Sequence, residues 1–292
     1  MKHEAILECS SEFSVVKMCK ALVLPQSGYY QWKKAEVKRL EKREQEKGLI
    51  QTVINVFNEN YKTYGYRRMY KALLAEDVDI SEYKVCQIMK ENGLYPETIK
   101  KYKPYPKQKT DAKYSDNIVK QEFDFSELNK CWVGDITYIK TVLGWVYLAV
   151  IIDLFNREVI GYAISKKVNT ELVKRALGNA LSRKGGVEGL IFHSDRGCQY
   201  SSIGYSKMLL DNGIISSMSK AGCPFDNSCV ESFFATTKKE CIYRKSYATM
   251  EEVVRDLFEY IELFYNRKRI HSTLGYMSPV EYRISTGGKK AA

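Results

Sequence analysis

Residues 131 to 220 constrain the fold most. Three β-rich segments follow one another closely, CWVGDITYIKT, WVYLAVIIDLF and REVIGYAISK, parted only by the turn signals VLG and FN. Strands joined by so few residues pair antiparallel, so the three form a meander. The period then changes. NTELVKRALGNALSRKGG has an Asn/Thr start, helical spacing and a glycine stop. EGLIFHSD reads as a short buried strand, SIGYSKMLLDNG as a helix and IISSMSK as another strand, before a further helix. Three strands, then helix, strand, helix, strand, helix is an α/β order that calls for a mixed sheet. The chain shows no internal repeat and no low-complexity segment.

The part before this core is helical in pattern. SSEFSVVKMCKALVL offers Ser10 or Ser11 as a cap, and Pro25 with Gly28 is expected to break the helix. AEVKRLEKREQEKGLIQTVINVFNEN mixes charges at helical intervals, as a solvated helix face does. TYGYRRMYKALLAEDVDISEYKVCQIMKENGL predicts helix, turn, helix over about 63–95. Met69, Leu73 and Leu74 form one apolar set, Val85, Ile88 and Met89 the other, with Ser81 as cap and Gly93 as stop. Such a unit is either a DNA-binding helix-turn-helix or an ordinary pair of packed helices. Residues 96–113 show no apolar period and carry Lys100, Lys101, Lys103 and Lys107 around Pro104 and Pro106, which predicts an extended basic linker over 96–125. The organisation expected is therefore a helical DNA-binding region over 1–95, the linker over 96–125, a catalytic core with C-terminal helices over 126–285 and a tail over 286–292.

Charge points to the partner. The net charge is +11, and residues 1–115 hold 22 Lys and Arg against 15 Asp and Glu. An excess concentrated in the amino-terminal part suits a polyanion such as DNA. Arg67, Arg68 and Lys71 on the first helix of the two-helix unit, and Lys84 and Lys90 on the second, are candidate contacts to the DNA backbone, with the linker lysines tracking phosphates beyond them. None of the 8 cysteines forms a C-x-x-C pair and only 3 histidines exist, so a zinc site is not expected. The longest apolar run, GWVYLAVII, is too short to span a bilayer, and MKHEAILECSSEF lacks a signal core. The expected setting is a reducing cytoplasm, with no membrane partner.

Three acids stand out. Asp135 interrupts an apolar, β-branched strand. Asp195 ends the fourth strand, before Arg196 and Gly197. Glu231 lies early in a helix after a Gly/Pro loop. A half-buried strand carboxylate is costly unless paired or bound to metal. Converging at one end of a sheet, three such acids would supply the hard oxygen ligands that Mg²⁺ or Mn²⁺ prefers, and two such ions serve phosphoryl transfer. The same positions equally suit a turn that Asp195 closes with Arg-Gly and a surface place for Glu231 on its helix. Lys238 shares a helix face with Glu231 at i+7, placed to reach a phosphate. His193 has no histidine partner nearby and is read as a core or turn hydrogen-bonding group.

WVGDITYI, FHSDRGCQY and DNSCVESFFATTKKE resemble the three acidic motifs of the retroviral-integrase superfamily, with 35 residues between Asp195 and Glu231. The chain resembles more closely the OrfB-type transposases of the bacterial insertion sequence 3 family. MCKALVLPQSGYYQW, YGYRRMYKALL with KVCQIMKENGL, and YNRKRIHSTLGYMSPVEY carry that likeness over roughly residues 13–283. The resemblance implies a ribonuclease H-like core. It implies that Asp135, Asp195 and Glu231 are catalytic and bind two divalent metal ions, with Lys238 at the DNA. It implies metal-dependent strand cleavage and strand transfer of an insertion sequence, a homo-oligomer on DNA, a bacterial nucleoid setting, and an upstream-frame DNA-binding protein or fusion. Cys198 where serine is usual, and Thr237 where leucine is frequent, depart from the pattern without touching an acid. Two rival readings stand beside it: a non-catalytic DNA-binding regulator of the element, and a structure-selective nuclease of the same fold.

Overall fold

The computed structural model describes residues 2–97, 115–119, 125–185, 187–219 and 227–288. The expected meander is present as β1 (Cys131–Thr141), β2 (Gly144–Asp153) and β3 (Val159–Ser165), paired antiparallel in that order. β4 (Ile191–Ser194) runs parallel to β1, and β5 (Ile215–Met218) parallel to β4. The sheet order is β3-β2-β1-β4-β5, the mixed α/β sheet of a ribonuclease H-like core. β1 is central, with the short parallel strands added on the flank away from the meander.

Alternation along the strands makes two cores. One face carries Trp132, Ala149 and Ile151, and buries against Leu172, Val173, Ala176 and Leu177 of α6 (Thr170–Lys184). The Asn169 side chain caps α6 by accepting from Leu172 N at 3.1 Å, and Gly185 ends it at φ 74, as the sequence predicts. Gly161 of β3 lets α6 approach closely. A Cβ there would lie 2.5 Å from the Ala176 carbonyl oxygen and 2.7 Å from Ala180 Cβ. Both are rigid neighbours, so Gly161→Ala is expected to cost about 1–3 kcal/mol of stability by overpacking. Denaturant unfolding measures this, and an unchanged midpoint would show that the helix lifts freely off the sheet.

The other face carries Val133, Leu148, Val150 and Ile152. It buries against α8 (Ser228–Glu240) and against α9 (Met250–Phe258), which continues as a π-helical stretch over Glu259–Tyr265. α7 (Ile203–Asp211) precedes β5, and α10 (Pro279–Ser285) closes the described chain behind a Ser278–Glu281 capping box. The carboxy-terminal signature is largely scaffold. Asn266 Nδ2 donates to the Val159 carbonyl at 3.0 Å, and Asn266 Oδ1 accepts from Val159 N at 2.9 Å. The amide thus pairs with the end of β3 as a neighbouring strand would. Arg269 is buried and grips Glu240 of α8 with two hydrogen bonds of 2.8 Å, while Arg267 is exposed.

Five helices precede the sheet: α1 (Lys2–Glu8), α2 (Val15–Ala21), α3 (Gln26–Glu59), α4 (Tyr66–Ala75) and α5 (Glu82–Glu91). Pro25 separates α2 from α3, but Gly28 breaks nothing. α3 runs through QSGYYQWKK because Tyr29 is buried and Trp32 packs beside it against Ile6 and Cys19. That packing offsets the roughly 1 kcal/mol a helical glycine costs. The turn before α5 is capped as expected, Ser81 Oγ accepting from Lys84 N at 3.2 Å. Met69, Leu73, Val85, Ile88 and Met89 are buried, whereas Leu74 is exposed. The end of α3 with α4 and α5 packs into the same core as the second sheet face. Tyr64 fastens this junction, its hydroxyl donating to the Lys268 carbonyl and accepting from Ile270 N.

Candidate active site

Gly134 and Ser194 are the last paired positions of the parallel strands β1 and β4. Asp135 and Asp195 are each the next residue along. They therefore stand side by side where β4 ends, on backbones about 4.8 Å apart. Both are half-buried. Each has one carboxylate oxygen fixed by a backbone amide, Asp135 Oδ1 by Ile136 N at 2.7 Å and Asp195 Oδ1 by Gly197 N at 2.9 Å. The turn at Asp-Arg-Gly is thus real, and it orients the carboxylate. A Cβ at Gly197 would crowd that oxygen at 2.9 Å.

Behind the pair lies Tyr200, which nothing in the letters singles out beyond its place five positions after Asp195. It is buried, and its hydroxyl lies 3.4 Å from where a Cβ on Gly134 would stand. Burial first, then Tyr205 and the charges of Asp135 and Asp195, keep its phenol protonated well above the ordinary range. Lys238 comes in from α8. Its ammonium sits 4.8 Å from the centre of the Tyr138 ring on β1. Burial pulls its pKa below the ordinary value, and the negative charge of Asp135 works against that shift.

Glu231 sits in the first turn of α8 and is exposed, whereas Phe233 and Phe234 are buried against the sheet. Seven residues separate it from Lys238, about 10 Å along the helix axis. The fold therefore sets Asp135 beside Asp195 and brings Lys238 within electrostatic reach of Asp135, with Glu231 in the first turn of the same helix. Among the described residues no group of three or more His, Cys, Asp or Glu is close enough together to hold a metal ion. The aspartate pair nonetheless fits a hard divalent cation. Two adjacent half-buried carboxylates repel each other unless they share a positive charge, and oxygen donors are what Mg²⁺ selects. His193 is fully buried, its two ring nitrogens within hydrogen-bond reach of Ser217 Oγ (2.9 Å) and Ser219 Oγ (3.2 Å). It is a core residue, as expected.

The basic residues of the helical region divide. Arg67, Lys71 and Lys90 are exposed, Arg67 beside Tyr66 and Lys71 over the Tyr70 and Tyr276 rings. Arg68 instead turns inward and is half-buried over the Tyr64 ring. Burial and the neighbouring Arg269 charge lower its pKa. The α4 face that carries it is the one docked on the carboxy-terminal segment. Lys84 is held by Glu46 of α3 at 2.6 Å, so DNA would have to compete with that carboxylate. Lys100, Lys101, Lys103 and Lys107 lie outside the described residues. Among the described residues, no helix is long and apolar enough to cross a membrane.

Comparison with known proteins agrees with this architecture. Residues 126–224 and 231–286 match integrase core domain families, and 43–102 match an HTH-like domain. The chain is 35% identical to the transposase InsF for insertion sequence IS3A of Escherichia coli K12, over 97% of this chain and 98% of that protein. It is 37% identical to the transposase for insertion sequence element IS904 of Lactococcus lactis, over 84% of this chain and 97% of that protein. Among solved structures, a simian T-cell lymphotropic virus intasome chain aligns with a TM-score of 0.47 at 14% identity, covering 73% of this chain and 69% of that one. The HTLV-2 integrase catalytic core in complex with magnesium aligns at 0.40 and 18%, covering 53% of this chain and 95% of that one. At 35% identity over 97% of the chain to one curated relative, and with integrase core and HTH-like segments matched, the chain belongs to the IS3 family of insertion-sequence transposases.

Proposed function

We propose that this transposase cuts a DNA strand at an end of its insertion sequence and joins the freed 3′ hydroxyl to a second phosphodiester. The observation that carries the reading is the side-by-side placement of Asp135 and Asp195 at the end of β4, with Lys238 beside them. Asp135, Asp195 and Glu231 would hold two divalent ions, Mg²⁺ or Mn²⁺, which when bound neutralise charge at the phosphorus and lower the pKa of the attacking water. The chain's own groups position the DNA. The Ile136 and Gly197 amides aim one oxygen of each aspartate. Lys238, partly desolvated, donates a charge-assisted hydrogen bond to a phosphate oxygen next to the scissile bond.

In this reading residues 1–95 bind duplex DNA, with Arg67, Lys71 and Lys90 on the backbone. Residues 96–125 lay their lysines along phosphates, and 126–285 carry the chemistry. Joining two ends requires at least two copies of the chain on DNA. An upstream-frame protein or fusion adds end recognition, and the work is done at the bacterial nucleoid.

The test is incubation with duplexes carrying the element's ends, with Mg²⁺ and with chelator. Joined strands that appear with Mg²⁺ and vanish with chelator are the expected result. Cleaved but never joined strands would favour the nuclease reading, and DNA binding without any metal-dependent cleavage would favour the regulator. A trapped covalent protein–DNA adduct would sink the direct transesterification.

A further inference from the structure

The amino-terminal head plays no part in the site above, yet it has its own architecture. α1, α2 and the first turns of α3 enclose a separate small core, with Ile6, Cys19 and Tyr29 buried and Val15, Met18, Leu22, Leu24 and Trp32 packed around them. Four residues, Leu22 to Pro25, join α2 to α3. Two short-linked helices braced by a third are the frame of a helix-turn-helix, in which the second helix enters the major groove.

The exposed side of that second helix has suitable chemistry. Gln26, Ser27, Tyr30, Gln31 and Lys34 are all exposed and fall on one face, opposite Tyr29 and Trp32. Glutamine amides pair with the N6 and N7 edge of adenine, and tyrosine, serine and lysine bond to phosphates. Residues 13–35 contain Lys17, Lys20, Lys33 and Lys34 and no Asp or Glu. The acids of the head, Glu4, Glu8, Glu12 and Glu36, lie outside this stretch, so along the edge formed by α2 and the start of α3 a second copy would meet lysines with lysines, whereas a polyanion would not.

The distance is also informative. Residues 37–48 of α3 are exposed, a helical strut between the head and the body that meets α5 through the Glu46–Lys84 pair. From Tyr30 to Val53, where α3 is buried again, the axis rises about 35 Å at 1.5 Å per residue. One turn of B-DNA spans about 34–36 Å. We propose that the head is a second helix-turn-helix that reads duplex DNA through Gln26, Ser27, Tyr30, Gln31 and Lys34. It sits one helical turn from the contact made by α4 and α5. The inference rests on the transposase reading in taking the duplex to be an end of the element and α4 with α5 to contact it.

Hydroxyl-radical footprinting of the full chain on such duplexes tests it. The wild type is expected to protect two patches on one face, about 10 bp apart. Gln26→Ala/Gln31→Ala, both at exposed positions, is expected to erase one patch, keep the other and weaken binding about tenfold or more. Its melting temperature should match the wild type. Lys17→Gln/Lys20→Gln is expected to lower the slope of log affinity against log salt by about 2. A single patch in the wild type, or two patches unchanged in the glutamine variant, overturns the proposal. Two patches without strand transfer would leave it standing and remove the catalytic reading; strand transfer with one patch would do the reverse.

Discussion

Asp195→Asn is expected to abolish strand cleavage and joining, a loss of about 10³-fold or more, in a protein that still folds and still binds DNA. The substitution keeps the shape of the side chain and its acceptor oxygen, so the hydrogen bond from Gly197 N and the turn it closes survive. What goes is the negative charge beside Asp135. A carboxamide is a poor ligand for a hard cation, so the pair no longer offers two adjacent carboxylates to one. Because that turn is kept, the melting temperature is expected to stay close to that of the wild type. The measurement is strand-joining yield with Mg²⁺, alongside DNA affinity and thermal melting. Equal joining by wild type and variant would take Asp195 out of the mechanism. Parallel loss of joining and DNA binding would show that the residue works through the fold.

The second large effect is expected at Arg269, far from any nucleophile. Its guanidinium holds Glu240 with two bonds of 2.8 Å, and Tyr260 donates to the same carboxylate at 2.7 Å. All three are buried. Arg269→Ala leaves the Glu240 charge buried with its cation gone, which typically costs about 3–5 kcal/mol. Glu240 is the last residue of α8, the helix that carries Glu231 and Lys238, so the loss loosens the end of that helix nearest Lys238. Arg267→Ala, two residues away and exposed, is expected to stay within about 0.5 kcal/mol of wild type. Denaturant unfolding of the pair separates the two roles. A cost at Arg269 below about 1 kcal/mol would mean that the buried pair is dispensable.

Both effects bear on how far the chain could be read from its letters. The element order was legible because its signals are local. Asn169 caps α6 three residues ahead, Ser81 caps α5 likewise, and Gly185 and Gly93 stop helices with their own backbones. Antiparallel pairing of β1, β2 and β3 follows from loops too short for anything else. Asp135 and Asp195 stood out because a carboxylate in an apolar strand or at a strand end is costly without a use, whereas Glu231, exposed in the first turn of α8, stood out by its motif.

Contacts between distant segments were not legible. Asp135 and Asp195 are 60 residues apart, and only the insertion of β4 parallel to β1, in the register that pairs Gly134 with Ser194, makes them neighbours. Arg68 counts as a free cation in the sequence but is turned onto Tyr64 by the docking of α4 on the carboxy-terminal segment. Lys84 meets Glu46 across 38 positions. Gly28 reads as a stop, yet α3 continues because Tyr29 and Trp32 find partners in α1 and α2. Strands, helices, caps and reactive side-chain types were written locally, each settled within a few residues by backbone geometry and hydrophobic period. Which of those side chains share a site depended on the packed chain, because burial and charge pairing are set by the segment lying opposite.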